Sequence, residues 1–175
     1  MNTIAFIALN ERMLETARQV LVREHPDVIL AEGLMAGAAD TARTLAAAGV
    51  EVVISRGATA RCVRAALPDL SVVDVSTSGL DLLSAIHKAS LRARRVAVVA
   101  FPPMSDGALE IGARLGVDVR SYEWREEEDI ASTVLRARDD GADIVVGGYI
   151  MALIAGRLGV PCQPVETGPR GILAA

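Results

Sequence analysis

The sequence predicts an α/β protein made of two tandem lobes, each a parallel sheet wrapped by helices. Three observations carry this. The chain repeats itself: Thr3-Ile4-Ala5-Phe6-Ile7-Ala8 matches Arg95-Val96-Ala97-Val98-Val99-Ala100, and Gly49-Val50-Glu51-Val52-Val53-Ile54 matches Gly141-Ala142-Asp143-Ile144-Val145-Val146, both at an offset of 92 residues. A third pair, Asp74-Val75-Ser76-Thr77 against Pro164-Val165-Glu166-Thr167, falls at an offset of 90, so the second copy is two residues shorter between its last helix and last strand. Short β-branched runs then alternate with Ala- and Leu-rich segments at helical spacing, the order expected of a parallel sheet with crossover helices. Finally, the strand runs are continuously apolar and not alternating, which predicts helices over both sheet faces.

Taken along the chain, strands are expected near 3–9, 27–30, 51–54, 72–75, 95–100, 117–121, 143–146 and 161–165. Helices are expected near 11–24, 35–47, 58–66, 79–91, 104–114, 126–139 and 149–157. Gly49, Gly116, Gly141 and Gly159 each sit just past a helix and before a strand, where a left-handed residue ends the helix at little steric cost. Pro68-Asp69 breaks the chain after the third helix in the same way. No Gly/Ser/Pro linker separates the copies, so the helix at 79–91 is the expected bridge, and Arg92-Ala93-Arg94-Arg95 marks entry into lobe two. Thr167-Gly168-Pro169-Arg170-Gly171-Ile172 resembles Thr77-Ser78-Gly79-Leu80, so a last helix starts there, as in a piece of something longer. The expected division is lobe 1 at 1–91, with 167–175 returning toward it, and lobe 2 at 92–166, leaving an inter-lobe cleft.

Composition narrows the function. With 51% hydrophobic residues in 175, there is material for a core in each lobe. The formal charge of −4, without a basic run, argues against direct nucleic-acid contact, which needs clustered Lys and Arg. The longest nearly uncharged run, Ile144 to Gly156, is shorter than the roughly 20 residues a membrane helix requires. The N-terminus lacks the basic start of a signal peptide, and only Cys62 and Cys162 are present. The expected setting is the reducing cytoplasm.

Ligands of doubly wound sheets bind beyond the carboxyl ends of the strands. There the sequence places Ser55, Arg56, Gly57, Ala58 and Thr59 after the third strand, and Ser76, Thr77 and Ser78 after the fourth. Phe101-Pro102-Pro103-Met104-Ser105 follows the fifth strand, Gly147, Gly148 and Tyr149 the seventh, and Thr167 the eighth. Hydroxyls, glycine amides and one arginine dominate; His, Cys and carboxylates are scarce. Helix N-termini with such residues hold anions, and Arg56 can grip a carboxylate in bidentate fashion. Ser55, Arg56, Gly57, Ala58, Thr59, Ser76, Thr77, Ser78, Pro102, Met104, Ser105, Gly147, Gly148, Tyr149 and Thr167 are therefore the candidate ligand-binding set. The competing reading makes the Ser, Thr and Gly residues caps and turns, and pairs Arg56 with a nearby acid.

The run Ile54-Ser55-Arg56-Gly57-Ala58-Thr59-Ala60, then Val75-Ser76-Thr77-Ser78-Gly79-Leu80-Asp81-Leu82-Leu83, Val96-Ala97-Val98-Val99-Ala100-Phe101-Pro102, and Glu126-Glu127-Glu128-Asp129 leading to Val145-Val146-Gly147-Gly148, resembles the N-terminal sensor domain of PrpR-type regulators, the sigma-54-dependent activators of propionate catabolism. The resemblance covers nearly the whole chain in order. It implies a chelatase-like duplication of Rossmann-like lobes, a small-molecule carboxylate effector, and C-terminal AAA+ and DNA-binding modules in a longer parent chain; a homodimer is possible. The propionate regulators respond to 2-methylcitrate, a tricarboxylate. Ala58 replaces a common glycine, and Tyr149-Ile150-Met151 is more apolar than the usual pattern, so the effector's identity does not carry over.

The alternative is a cofactor-independent amino-acid racemase or decarboxylase of the Asp/Glu racemase type, with one thiol on each side of the cleft. The repeat argues against it. Cys62 aligns with Ile154 and Cys162 with Val72, so the thiols are not symmetry mates, and buried free cysteine ordinarily packs as a small hydrophobe. His25 and His87 lack a second ligand at metal spacing, and no phosphate-loop motif is present, so neither catalytic residue, metal nor cofactor is expected.

Overall fold

The computed structural model describes residues 3–102 and 104–175; Pro103, in the loop after the fifth strand, and the first two residues lie outside them. The first half runs β1 (Thr3–Ala8), α1 (Glu11–Glu24), β2 (Ile29–Glu32), α2 (Ala36–Ala47), β3 (Val50–Ser55), α3 (Gly57–Ala66), β4 (Ser71–Asp74) and α4 (Gly79–Ser90). The second repeats it as β5 (Arg95–Ala100), α5 (Ala108–Leu115), β6 (Asp118–Glu123), α6 (Asp129–Asp139), β7 (Ile144–Gly147), α7 (Tyr149–Arg157), β8 (Cys162–Pro164) and α8 (Pro169–Leu173). Two four-stranded parallel sheets result, in the orders β2-β1-β3-β4 and β6-β5-β7-β8.

The duplication is legible in the pairing register. Ala5 pairs with Val53 as Ala97 pairs with Val145, at the offset of 92 on both strands. Val53 then pairs with Val72 as Val145 pairs with Cys162, where the last strand has moved to the offset of 90. The same two-residue loss aligns the bonds from the Val75 amide to the Ser55 carbonyl and from the Val165 amide to the Gly147 carbonyl, at 2.8 and 2.7 Å.

Contacts divide the chain into one unit of residues 1–76 with 167–175 and another of 77–166. In the first, alternate residues of β1 face opposite layers. Phe6 and Ala8 join Met13, Ala17 and Leu21 of α1, with Ile172 of α8. Ala5 and Ile7 join Ala38 and Ala42 of α2 and Val63 of α3. In the second unit, Val96, Val98 and Ala100 pack under Leu82, Ala85, Ile86 and Ala89 of α4, while Ala97 and Val99 pack under Ile130 and Val134 of α6 and Met151 of α7. Helix α4 thus departs from the expected lobe 1 at 1–91: its buried face lies on β5, β7 and β8, so Thr77 to Leu91 belongs with the second unit.

Local chemistry explains the element ends. The Asn10 side chain accepts the Met13 amide at 2.9 Å and starts α1. Ser78 and Asp81 close a capping box at the start of α4. Gly49, Gly116, Gly141 and Gly159 have positive φ, as their places after helices require. Two helices begin later than expected. α5 starts at Ala108 and not 104, because Gly107 takes φ 78, which no right-handed helix admits. α6 starts at Asp129 and not 126, because Asp129 and Ile130 donate back to Glu126 and Glu127 in tight turns that consume the acidic run. Strand coverage is also uneven. β1, β3, β5 and β7 are the well-buried strands, whereas the edge strand β6 leaves Asp118, Arg120, Ser121 and Glu123 exposed.

At the amino ends of β5 and β7, Asp143 accepts from the Arg95 guanidinium at 2.7 Å and from the Arg94 and Arg95 amides. The Arg95 side chain, then its amide, hold the Asp143 carboxyl at about 2, below the usual 3.8. A depressed carboxylate stabilises the fold above its unfolded value, and that contribution is lost as pH falls through the folded one. Acid titration of unfolding should therefore show stability declining from pH 3.8 toward 2, and this limb should shrink in Asp143→Asn; an identical profile in the variant would remove the pair from the acid response.

Candidate functional site

In each unit the strand order reverses between the first strand and the third, and the carboxyl ends at that switch point are where such sheets hold ligands. In the first unit the switch lies between β1 and β3. Ser55, fully buried, donates its hydroxyl to the Ile7 carbonyl at 2.9 Å and ties the two strand ends together. Arg56 follows as the N-cap of α3; it is only 7% exposed, and its guanidinium donates to the Thr167 hydroxyl. The Gly57 amide donates to the Asp74 carboxylate at 2.7 Å. Thr59, buried in the first turn of α3, accepts the Met35 amide at 3.3 Å.

The candidate hydroxyls and amides are thus largely engaged by their own unit. Ser78 and its amide are likewise engaged by Asp81, at 2.8 and 3.0 Å, as the capping reading expects. Arg56 meets a hydroxyl inside its own unit. Where Asn10 caps α1 and Ser78 caps α4, the N-cap residues of α3 and α7, Arg56 and Gly148, make no side-chain capping bond, and the first amide of α3 is taken by Asp74 from outside the helix. Ser76 is exposed and Thr77 half-buried at the end of β4.

The second unit puts different chemistry at the same strand ends. Phe101 packs against Trp124 in a tilted ring pair, with centroids 5.6 Å apart and planes at 55°. Pro102 and Met104 are half-buried, and buried Ser105 donates to Glu123 at 3.2 Å. Gly147 is required by packing: a Cβ there would run into the Val99 carbonyl and lie 2.9 Å from the Met151 methyl. At Gly148 a Cβ would meet the Met104 methyl at 3.5 Å, an ordinary contact. Tyr149 then opens α7.

Sequence reasoning passed over the loops after β2 and β6. Glu32 pairs with Ala8 as Glu123 pairs with Ala100, so both copies carry a carboxylate at the end of an edge strand. The repeat contained that signal. It contained no sign of Met35.

A family model described as the propionate catabolism activator matches residues 22–175. The chain belongs to that family. This propionate catabolism activator domain is a PrpR-type N-terminal sensor domain, the assignment its motifs suggested. The crystal structure of an NtrC family transcriptional regulator from Clostridium acetobutylicum matches its fold with a TM-score of 0.87 at 22% identity, over 99% of this chain and 92% of that one. The regulator CcpA of Lactococcus lactis matches at 0.47 and 11% identity, covering 97% of this chain and 80% of that one. A putative Asp/Glu racemase from Yersinia pestis matches at 0.40 and 11%, covering 99% and 97%. No curated protein matches the sequence. Among the described residues no helix is long and apolar enough to cross a membrane, and no group of three or more His, Cys, Asp or Glu could hold a metal ion.

Met35 is the sensor domain's one non-glycine residue with positive φ among those described, at φ 51 and ψ −121. With the Gly37 amide donating to the Leu34 carbonyl at 3.1 Å, these are the angles of the first central position of a type II′ turn, where glycine is the usual occupant. The bond from its amide to Thr59 helps hold the turn, one helical turn from Arg56. A Cβ in this region costs on the order of 1–3 kcal/mol. Met35→Gly should accordingly be more stable than Met35→Ala by about 1 kcal/mol or more in urea denaturation, against the ordinary ranking of the two residues. Equal midpoints would show that the turn carries no such cost.

Proposed function

We propose that this sensor domain takes a small carboxylate metabolite at the strand-end loops around Arg56 and signals its presence to C-terminal modules of a longer, cytoplasmic parent chain, an AAA+ ATPase and a DNA-binding module. The observation that carries the reading is a buried arginine at the end of β3, in the N-cap position of α3, whose side chain makes no capping bond to that helix. The planar guanidinium fork matches a carboxylate, and the Ala58 and Thr59 amides in the first turn of α3 add donors with the positive end of the helix dipole behind them. Ser55 and Gly57 serve by fixing the loop through the bonds to Ile7 and Asp74.

Thermal-shift screening against di- and tricarboxylates should find a stabilising ligand, since one at a hundred times its dissociation constant adds about 2.7 kcal/mol. Arg56→Ala and Arg56→Lys should each weaken it tenfold or more, about 1.4 kcal/mol, because lysine lacks the fork. Calorimetric titration of the folded variants decides: unchanged affinity in Arg56→Ala would make Arg56 structural and remove the anion reading.

The racemase alternative rests on the two free thiols. Cys62 lies within α3 and Cys162 on β8, on unlike elements of the repeat. Burial pushes the Cys162 thiol up, with Arg92 acting weakly in the other direction, and its sulfur lies 3.6 Å from the Ala152 carbonyl. That is the environment of a packed thiol and not of an activated one. Replacing both cysteines with alanine should leave carboxylate binding intact at some loss of stability; an amino-acid racemisation present in the wild type and abolished in a folded double variant would reverse the assignment.

A further inference from the structure

Arg56 is bonded to the residue at which the chain re-enters the first unit. The chain passes from one unit to the other after Ser76 and again after Glu166, so Thr77 and Thr167, mates at the offset of 90, stand at the two crossings. Each crossing leads into a helix packed on the sheet it enters: α4 in the second unit, α8 in the first. The two are anchored very differently. α4 has twelve residues, a capping box and four buried side chains, Leu82, Ala85, Ile86 and Ala89. α8 has five residues, no side-chain cap, and Ile172 as its buried side chain, set among Phe6, Met13, Ala17 and Leu21. A single turn does not persist in water by its own propensity and depends on what docks it. The hydrogen bond from the Arg56 guanidinium to Thr167 lies two residues ahead of α8 and supplies a second anchor beside Ile172.

We propose that the Arg56–Thr167 pair is a latch that holds α8 on the first unit, so that whatever engages the Arg56 guanidinium alters the docking of the C-terminal segment 167–175. The latch rests on the effector reading only for the identity of what engages Arg56; the link from Arg56 to α8 exists without ligand. It gives a sensor domain a route by which chemistry at a strand end changes the hold on a short helix drawn from the low-stability end of the fold.

Trypsin reports the docking of α8 directly, because cleavage after Arg170 requires that turn to open. In the ligand-free 175-residue chain, Arg56→Ala and Thr167→Val should each speed cleavage after Arg170 at least tenfold, while cleavage after Arg18 and Arg64, on α1 and α3, keeps its wild-type rate. Unchanged cleavage at Arg170 overturns the latch. Equal acceleration at all sites also overturns it, since the pair would then support the unit as a whole. In a second arm, citrate is the probe: where it binds, it should change the Arg170 rate in the wild type and not in Thr167→Val. Citrate binding with no change at Arg170 rejects the latch while leaving the effector reading in place; absence of citrate binding bears on that reading alone, and the ligand-free arm still decides the latch.

Discussion

A four-stranded parallel sheet has two faces to hide and only three crossover helices of its own. In the order β2-β1-β3-β4, the first crossover lies on one face and the next two on the other, so α1 by itself cannot cover the side of β1 that carries Phe6 and Ala8. Leaving that side open would strand apolar area worth roughly 25 cal/mol per Å². The fourth helix comes from the far end of the chain: α8 completes this face in the first unit, as α4 completes the matching face in the second. The division of contacts, the place of Thr167 beside Arg56, and the burial of Ile172 all follow from that shortage.

Much of this fold was legible in the residues. The repeats at offsets of 92 and 90 fixed the copy boundaries, and the registers of Val53 with Val72 and Val145 with Cys162 reproduce both offsets. The caps and helix-ending glycines were readable because they act locally. Helix α4 was not, since Leu82, Ala85 and Ile86 show that it has a buried face but not which sheet lies beneath it. That choice depends on partners distant in sequence. The starts of α5 and α6 failed for a different reason: Gly107 and the carboxylates at 126–129 suit either a first helical turn or a preceding bend, and only the φ of Gly107 and the bonds back to Glu126 and Glu127 separate the two.

The candidate site was legible in place more than in chemistry. Strand-end loops with Arg56 could be located from the alternation of elements. Their hydroxyls looked like free donors because sequence shows residue types and not the bonds they already make. Ser55 with Ile7, Gly57 with Asp74 and Thr59 with Met35 form a scaffold that orients the loop. Met35 escaped notice entirely, because the demand for a II′ conformation arises from the approach of Gly33 to Ala38 and of Met35 to Thr59, where a Cβ on Gly33 would sit 2.7 Å from the Ala38 Cα. Nothing in an Ala- and Leu-rich run announces it.

The reciprocal placement of α4 and α8 bears on how such a chain could arise. A single half, ending in its own last helix, would leave one sheet face bare and send that helix away from the sheet that needs it. Two copies of the half, each lending its helix to the other, would satisfy both faces, which is the exchange of an identical element found in domain swapping. Joining the copies end to end removes the concentration dependence of that exchange without changing a contact, and frees the two sequences to diverge. Arg56 in one copy stands where the other has Gly148, so matching strand ends of the repeat carry different chemistry on the same element order.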